Sequence, residues 1–219
     1  MKWQRARTPD KIEERRAAIL IAAKDLFSKH PYEEISFNAI AAKAKFTKSN
    51  VYRYFASREE IFLIIYSELC TKWSKSALKS LSKLKPGVTP DEYVEVFVKS
   101  LRRHEDYLNL SPFIFLSLQK NSSTEQLEAY SQESLSVLYE QVNLLRSLFQ
   151  ELKVEDAKSL IRLSHSLMCS LWPASKSADP INNNLGKTEF ASLAANFEGD
   201  LKRTLTLMLK GLLAETKRL

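Results

Sequence analysis

The sequence predicts an all-helical protein, and three observations support that fold class. Apolar residues recur at intervals of three and four along most of the 219 residues, which is the spacing of one face of an α-helix. Only 4 glycines are present, and no Asn-Gly or Asp-Gly pair marks a β-hairpin. The hydrophobic fraction of 44% is large enough to bury a substantial core. Together these patterns predict about nine helices.

The composition also favours a cytoplasmic protein. The two cysteines, Cys70 and Cys169, are far apart, and the N-terminus lacks the pattern of a signal peptide. No apolar run approaches the ~20 residues that a membrane-spanning helix requires. We therefore expect a reducing cytoplasm and no membrane segment.

The first predicted helix begins at Pro9-Asp10 and ends near Lys29, before Pro31. Its recurrent positions have helical spacing: Ile12, Arg16, Ile19, Leu20, Ala23, Leu26 and Phe27. We expect this helix to be one of three helices that enclose a small N-terminal core.

Residues 35–60 predict two short helices joined by a tight turn, followed by the start of a third. Ser36 can cap the first helix and Thr47 the second. The apolar face of the first helix consists of Phe37, Ile40, Ala41 and Ala44, and that of the second consists of Val51, Tyr52 and Phe55. The hydrogen-bonding side chains left outside are Lys48, Ser49, Asn50 and Arg53. Such a pair presents its second helix as a rod that fits the major groove of DNA.

The net charge of +7 is confined to one part of the chain. Residues 1–58 contain 13 Lys and Arg against 6 Asp and Glu, whereas residues 59–219 contain 20 of each. The basic excess therefore lies on the segment with the two-helix pattern. Duplex DNA, a dense polyanion, is the partner that this asymmetry favours.

The same segment resembles the TetR family of bacterial regulators. That family has a stretch like A-x-x-A-G-V-S-x-x-x-L-Y-x-Y-F-x-S-K-E-x-L near its N-terminus, matched here within residues 41–61. One position departs from the pattern, because Lys45 stands where the family has a glycine with positive φ. A non-glycine residue there costs about 1 kcal/mol. The resemblance implies a helix-turn-helix DNA-binding domain over residues 1–56 and a helical domain over residues 57–219.

Base edges and phosphates would be contacted by different side chains. Lys48 can donate to guanine and Asn50 can pair with adenine. The resemblance implies that Tyr52, Tyr54 and Arg58 meet the phosphate backbone. The complete predicted DNA-binding set is Ser36, Thr47, Lys48, Ser49, Asn50, Tyr52, Arg53, Tyr54 and Arg58. The alternatives are a solvated polar face for this set and, for the arm at residues 2–7, either a minor-groove contact or a tail without a partner.

The remaining helices are predicted from capping residues, prolines and apolar spacing. Ser57 and Glu60 form a capping box, and Pro86-Gly87 stops the helix that follows. The predicted ranges are 57–84, 90–110, 113–118, 124–152, 154–172 and 188–217, with a loop over residues 173–187.

The last two predicted helices have wide apolar stripes. The first stripe contains Ala157, Leu160, Ile161, Ser164, Leu167, Met168 and Leu171, and the second contains Phe190, Leu193, Phe197, Leu201, Leu205, Met208 and Leu212. The resemblance implies a homodimer through about residues 154–217. A homodimer is also favoured because helix-turn-helix proteins commonly bind two symmetric half-sites as two-fold dimers. The alternative is that both stripes close the core of a single chain.

The second domain is predicted to bind an unidentified small effector, as the resemblance implies. Candidate pocket residues are Trp73, Phe97, His104, Phe113, Tyr130, Tyr139, His165 and Trp172. Each of them has the alternative of being an ordinary core or boundary residue.

No enzyme motif is present. The sequence lacks a Gly-rich phosphate loop, an H-E-x-x-H pattern, paired metal-binding cysteines and a nucleophile elbow, so no catalytic residue, metal or cofactor is predicted. The favoured function is a DNA-binding transcriptional regulator, and specifically a repressor released from a pseudo-palindromic operator. The alternative is a basic helical protein that binds an anionic membrane surface or a protein partner.

Overall fold

The computed structural model describes residues 9–176, 180–189 and 191–216. Within them the chain forms ten α-helices and no β-strand, which confirms the all-helical class. The helices are α1 (Pro9–Phe27), α2 (Phe37–Lys43), α3 (Lys48–Val51), α4 (Arg58–Leu81), α5 (Pro90–Leu101), α6 (Glu105–Leu110), α7 (Thr124–Leu148), α8 (Val154–Ala174), α9 (Pro180–Leu185) and α10 (Phe197–Thr216). Shorter helical turns cover Tyr32–Glu34, Ile114–Leu118 and Ala191–Leu193.

The chain forms two compact units. The first contains the residues up to Glu68 together with Phe113–Ser131, and the second contains Leu69–Pro112 and the residues from Gln132 onward. Helices α4 and α7 each contribute residues to both units. The predicted domain boundary at residue 56 stays a prediction.

Helices α1, α2 and α3 share the core of the first unit. Ile19, Ile40, Val51 and Phe55 are each at most 1% exposed, although α3 has only four residues. An isolated helix of that length is unstable in water, so α3 depends on this packing. The predicted arrangement of a short helix pair backed by α1 is therefore present.

Side-chain caps fix where these helices begin. Ser36 Oγ accepts from the Ala39 N–H at 3.1 Å and Thr47 Oγ1 accepts from the Asn50 N–H at 3.3 Å, as predicted. Ser57 Oγ likewise accepts from the Glu60 N–H at 2.9 Å. The Glu60 carboxylate accepts from the N–H of Ala56 instead of Ser57, so the predicted capping box is shifted by one residue.

Lys45, in the turn between α2 and α3, has a φ of 60°. The turn thus imposes the left-handed conformation for which the TetR-like pattern uses glycine. A lysine side chain is strained there, because its Cβ crowds the backbone.

Because of this strain, we expect glycine substitutions at two neighbouring residues to change the free energy of unfolding in opposite directions. Lys45→Gly should raise the free energy of unfolding by roughly 0.5 kcal/mol, since relief of strain exceeds the extra entropy of the unfolded chain. Ala44→Gly, at a residue with a helical φ of −75°, should lower it by about 0.5–1 kcal/mol. Urea unfolding of both variants measures the difference, and equal losses would show that Lys45 is unstrained.

The second unit corrects one helix prediction. The single helix predicted over residues 90–110 is wrong, because it breaks after Leu101 into α5 and α6. The physical reason is tertiary: α5 packs against α10, whereas α6 packs against α8. The break at Arg102–His104 lets Phe97 on α5 and Tyr107 on α6 both be buried.

The C-terminal predictions also need correction. The predicted loop at residues 173–187 contains α9, and the helix predicted over residues 188–217 begins only at Phe197. Asn196 sets this start, because its Oδ1 accepts from the Gly199 N–H at 3.1 Å and its own N–H donates to Asp200. Residues 190 and 217 lie outside the described residues.

The two apolar stripes contribute to the core of the second unit, but only in part. α8 and α10 pack against each other, and five of the larger apolar side chains in the stripes are buried in the single chain. The buried members are Ala157, Leu160, Ser164, Met168, Phe197, Leu201 and Leu205. Other stripe members remain partly or largely exposed, namely Ile161, Leu167, Leu171, Leu193, Met208 and Leu212. The stripes thus contribute to the core of the single chain, and the dimer through about residues 154–217 stays a prediction. No helix among the described residues has the length and apolar character needed to cross a membrane.

Candidate nucleic-acid interface

Helix α3 presents a polar face beside an anchored apolar one. Lys48, Ser49 and Arg53 are exposed and Asn50 is partly exposed, whereas Val51 is fully buried. The Thr47 and Ser49 hydroxyl oxygens lie 3.1 Å apart at the start of the helix. The hydrogen-bonding side chains that are predicted to face solvent therefore lie on the accessible surface of α3 and of the turn that follows it.

Tyr52 does not point inward as predicted. Its side chain is 51% exposed, so that part of the prediction is wrong. The ring instead stacks on Phe37 of α2, with centroids 4.5 Å apart, and Lys48 Nζ lies 5.8 Å from the same ring. This stack joins α2 to the end of α3 and restricts the directions in which the Tyr52 hydroxyl can point.

Basic side chains of the first unit divide into paired and unpaired groups. Lys29 and Lys43 both pair with Asp25, and the hydrogen bonds from Lys29 and Lys43 lower the pKa of that carboxyl to about 2. Over the described part of the chain, Lys45, Lys48 and Arg53 form no ion pair. Positive charge is therefore left uncompensated around the turn and α3, where a phosphate backbone would gain most from it.

Arg58 is occupied inside the protein. Its guanidinium donates to the Ile35 carbonyl oxygen at 2.9 Å, to the Tyr32 hydroxyl at 3.1 Å and to Glu59 at 2.8 Å. The same group lies 4.4 Å from the centroid of the Tyr32 ring. These partners take most of the N–H groups of the guanidinium, and only 23% of the side chain is exposed. The phosphate contact implied for Arg58 stays a prediction.

Tyr54 and Ser36 have supporting roles in the structure. The Tyr54 side chain is partly exposed, and its carbonyl oxygen accepts from Arg16 on α1 at 2.6 Å. Ser36 caps α2, so its hydroxyl oxygen is engaged with the backbone. From the sequence, Arg16 is predicted only as one position of the otherwise apolar stripe of the first helix. The N-terminal arm at residues 2–7 lies outside the described residues.

The predicted effector residues are divided between the two units. Phe113 and Tyr130 belong to the first unit, where Phe113 contacts Tyr32 at a centroid distance of 4.5 Å. In the second unit, Tyr139 is 63% exposed. The eight residues therefore remain a prediction, and their arrangement does not single out one cavity among the described residues.

An aromatic cluster lies in the core of the second unit. Trp73 stacks on Tyr107 with centroids 5.0 Å apart, meets Phe97 edge-on at 5.8 Å and donates its indole N–H to Ser100. Trp73, Phe97 and Tyr107 are all at most 8% exposed. Trp73 and Phe97, two of the predicted pocket residues, thus contact one another in a packed cluster. A molecule could bind there only if these side chains moved apart.

The remaining predicted residues lie along α8 and at the α5–α6 junction. Trp172 donates its indole N–H to Asn109 at 2.9 Å and contacts Phe197. His165 lies 3.8 Å from the sulfur of Cys169, and burial lowers the pKa of the imidazole to about 4. Burial, together with the nearby Lys72 charge, also lowers the pKa of His104.

The depressed pKa of His165 predicts an acid-dependent loss of stability. Above about pH 6.5 the imidazole is neutral in both the folded and the unfolded chain, whereas between pH 6.5 and 4 only the unfolded chain gains the proton. The free energy of unfolding should therefore fall as pH drops through this window, by about 2–3 kcal/mol. His165→Gln should remove the contribution of His165 and leave only that of other groups such as His104, whose pKa is also lowered. His30→Gln, at an exposed histidine, should keep the pH profile of the wild type. Urea unfolding at several pH values provides the measurement, and parallel pH profiles for the wild type and His165→Gln would contradict it.

Comparisons with known proteins agree with this geometry. Residues 19–65 match the profile of bacterial regulatory proteins of the tetR family, and residues 67–216 match that of the tetracyclin repressor-like C-terminal domain. None of the curated proteins matches the sequence.

Solved structures show a similar fold. FadR of Thermus thermophilus, a TetR family transcriptional repressor in complex with lauroyl-CoA, is 17% identical with a TM-score of 0.55, over 90% of this chain and 94% of that one. A transcriptional regulator from Rhodococcus sp. Rha1 is 14% identical with a TM-score of 0.54, over 90% and 96% of the two chains. A regulator of the TetR/AcrR family from Thermobifida fusca is 17% identical with a TM-score of 0.51, over 88% and 97%. With the capped helix pair, the basic N-terminal segment and the two profile matches over residues 19–65 and 67–216, the chain belongs to the TetR family of transcriptional regulators.

Proposed function

We propose that the protein is a homodimeric repressor that binds a pseudo-palindromic operator and leaves it when a small effector binds. The N-terminal domain, residues 1–56, contacts DNA, and the domain at residues 57–219 dimerises and takes the effector. The protein acts in the cytoplasm and has no enzymatic activity. The observation that supports the DNA-binding part most strongly is the accessible α3 face of Lys48, Ser49, Asn50 and Arg53. Its two cations, Lys48 and Arg53, form no ion pair among the described residues.

The dimer in this proposal uses faces of α8 and α10 that the core leaves free. On one side α10 packs against α8, and on another it is tied to α5 by the ion pairs Lys202–Glu95 and Lys210–Asp91. Leu163 on α8 and Leu207 on α10 remain 36% and 59% exposed. Large apolar side chains on adjacent helices favour association with a second copy.

The effector acts through α4 in this proposal. Because α4 is one continuous helix whose residues belong to both units, a displacement of its second half can move its first half. Two recognition helices must fit half-sites about 34–36 Å apart, so a shift of several ångströms abolishes simultaneous contact. The effector must bind one of the two states more tightly, since equal affinity would shift nothing. Acyl-CoA thioesters are the first class to test, because the T. thermophilus FadR structure contains lauroyl-CoA.

The proposal is tested by selecting bound sequences from a random duplex pool. A palindromic consensus, with binding that a sequence-scrambled duplex does not reproduce, is expected. Anionic vesicles serve as the comparison, because a basic helical protein that binds membrane surfaces would be retained on vesicles and would select no DNA sequence. Failure to enrich any sequence would refute the proposed operator binding.

Substitutions on α3 should separate base contacts from phosphate contacts. Lys48→Ala and Asn50→Ala should each weaken operator binding by roughly 5- to 100-fold and scrambled-duplex binding much less, since a base-edge pair discriminates by about 1–3 kcal/mol. Tyr52→Phe should weaken binding to both duplexes alike, because a phosphate contact adds affinity without sequence information. Titration of both duplexes at one salt concentration measures these effects. Equal losses on the two duplexes for Lys48→Ala and Asn50→Ala would mean that α3 does not read bases.

A further inference from the structure

We propose that Arg16, on α1, is a positioning residue that sets operator specificity without contacting DNA; this inference rests on the proposed operator binding. Arg16 lies outside the set of residues predicted to meet DNA. It reaches from α1 to the C-terminal end of the α3 segment, which presents the base-reading side chains.

Two contacts hold the Arg16 guanidinium at that end. Its Nη1 donates to the Tyr54 carbonyl oxygen at 2.6 Å, and its central carbon lies 4.5 Å from the centroid of the Phe55 ring. Phe55 is 1% exposed, so the ring that the guanidinium covers is fixed in the core. The only carboxylate near Arg16 within the described structure is Glu13, at 4.0 Å, a distance that makes a weak surface pair.

The α3 segment needs such a contact because it is so short. After Val51 the chain continues only as a turn, in which the N–H groups of Tyr54 and Phe55 both donate to the Val51 carbonyl oxygen. The carbonyl oxygen of Tyr54 has no following helical turn to bond with, and Arg16 supplies the missing donor. A cation at the C-terminal end of a helical segment is also favoured by the backbone dipoles.

Loss of this contact should impair discrimination between DNA sequences, whereas it should affect the binding of DNA phosphates much less. Hydrogen bonds to base edges require the reading side chains to be held within about 0.5 Å of the productive geometry. Thr47 caps the beginning of α3, whereas Arg16 adds a hydrogen bond at its end beside the stack of Tyr52 on Phe37. Loss of Arg16 therefore loosens one end of the segment without unfolding it. Attraction to phosphates depends on charge and tolerates small displacements. We therefore infer that Arg16 acts on discrimination between sequences.

Arginine is required for both contacts together. A lysine retains the positive charge, but its compact ammonium cannot cover the Phe55 ring and donate to Tyr54 with the geometry of the planar guanidinium. A methionine retains much of the aliphatic packing without charge or donor. Lysine and methionine substitutions of Arg16 therefore distinguish an effect of the guanidinium geometry from an effect of the positive charge.

The experiment compares Arg16→Lys and Arg16→Met with the wild type, using the selected operator and a scrambled duplex over a series of salt concentrations. Arg16→Lys should lower the ratio of operator to scrambled affinity by about tenfold, comparable to the loss of one base contact. Its affinity for scrambled duplex and its salt slope should remain those of the wild type. Arg16→Met should give a loss of the ratio at least as large.

Ile40→Val is the control for a purely structural effect. Ile40 is fully buried in the same core, so this variant should lower the urea midpoint of unfolding and keep the affinity ratio of the wild type. A ratio unchanged by Arg16→Lys, or lowered equally by Ile40→Val, would overturn the inference. A salt slope reduced by about one on both duplexes for Arg16→Met, with the ratio intact, would make Arg16 a phosphate contact instead. If the wild type itself enriches no sequence, operator binding fails and the role of Arg16 is refuted with it, whereas enrichment with an insensitive ratio refutes the role of Arg16 alone.

Discussion

Affinity for duplex DNA is expected to fall by about 10³-fold or more between 50 and 200 mM salt, as for proteins that make roughly 6–10 phosphate contacts. The physical reason is the release of counterions by the basic excess of +7 that residues 1–58 contain. Lys45, Lys48 and Arg53 are the cations best placed to contribute, because they form no ion pair within the described residues. Fluorescence anisotropy with labelled duplex over a salt series gives the slope.

Variants that each lack one positive charge show which cations contribute to the salt dependence. Lys45→Gln, at an exposed lysine with no base-reading role, should lower the logarithmic salt slope by about one for each phosphate contact that is lost. Lys79→Gln, at an exposed lysine near the end of α4, should leave the slope unchanged. A flat salt response of the wild type, or equal slopes for both variants and the wild type, would show that the N-terminal charge does not bind the DNA backbone.

Disruption of the proposed dimer is expected to lower operator affinity by about 10²- to 10⁴-fold, because linking two half-site readers supplies an effective concentration that a monomer lacks. The variant is Leu163→Glu combined with Leu207→Glu. Both leucines are exposed in the single chain, so the two glutamates should leave the fold intact and oppose only the approach of a second copy. Sedimentation equilibrium gives the oligomeric state, and duplex titration gives the affinity.

The matched control places the same two charges on another exposed apolar surface. Leu135 and Leu138 on α7 are 51% and 41% exposed, and their glutamate variants should remain dimeric. A monomer from the α7 variant, with an intact dimer from the α8–α10 variant, would move the interface to α7. Deletion of the last two long helices is unsuitable as a test, since α8 and α10 contribute buried core residues such as Met168 and Leu201.

Local signals in the sequence are sufficient to predict the caps and the turn of the helix pair. The caps at Ser36 and Thr47 were predicted because a short hydroxyl side chain next to a helix start can accept from a backbone N–H only a few residues away. The positive φ of Lys45 was likewise implied by the resemblance of the turn. The exposure of Lys48 and Ser49 followed from apolar periodicity, since Val51 has to face the core.

Longer elements were predicted with less accuracy where a neighbouring helix decides the outcome. Apolar spacing continues through residues 90–110, but the chain breaks after Leu101 because α5 and α6 pack on different partners. The start of α10 at Phe197 had a local signal in Asn196, which was missed beside the stronger apolar pattern. Periodicity alone also could not separate a dimer surface from a core stripe, since both require the same apolar face.

The helical class, the helix-turn-helix pattern and the family resemblance can be predicted from the amino-acid sequence, because each depends on spacing and residue type along one stretch of chain. Which cations remain unpaired, and which groups the long side chains contact, depends on tertiary packing. Arg58, which is predicted to meet the DNA backbone, donates within the protein to Ile35 and Tyr32. Arg16 was expected in a core stripe and instead holds the end of α3. An arginine side chain is long enough to reach any of several elements, so its partner depends on how distant segments pack.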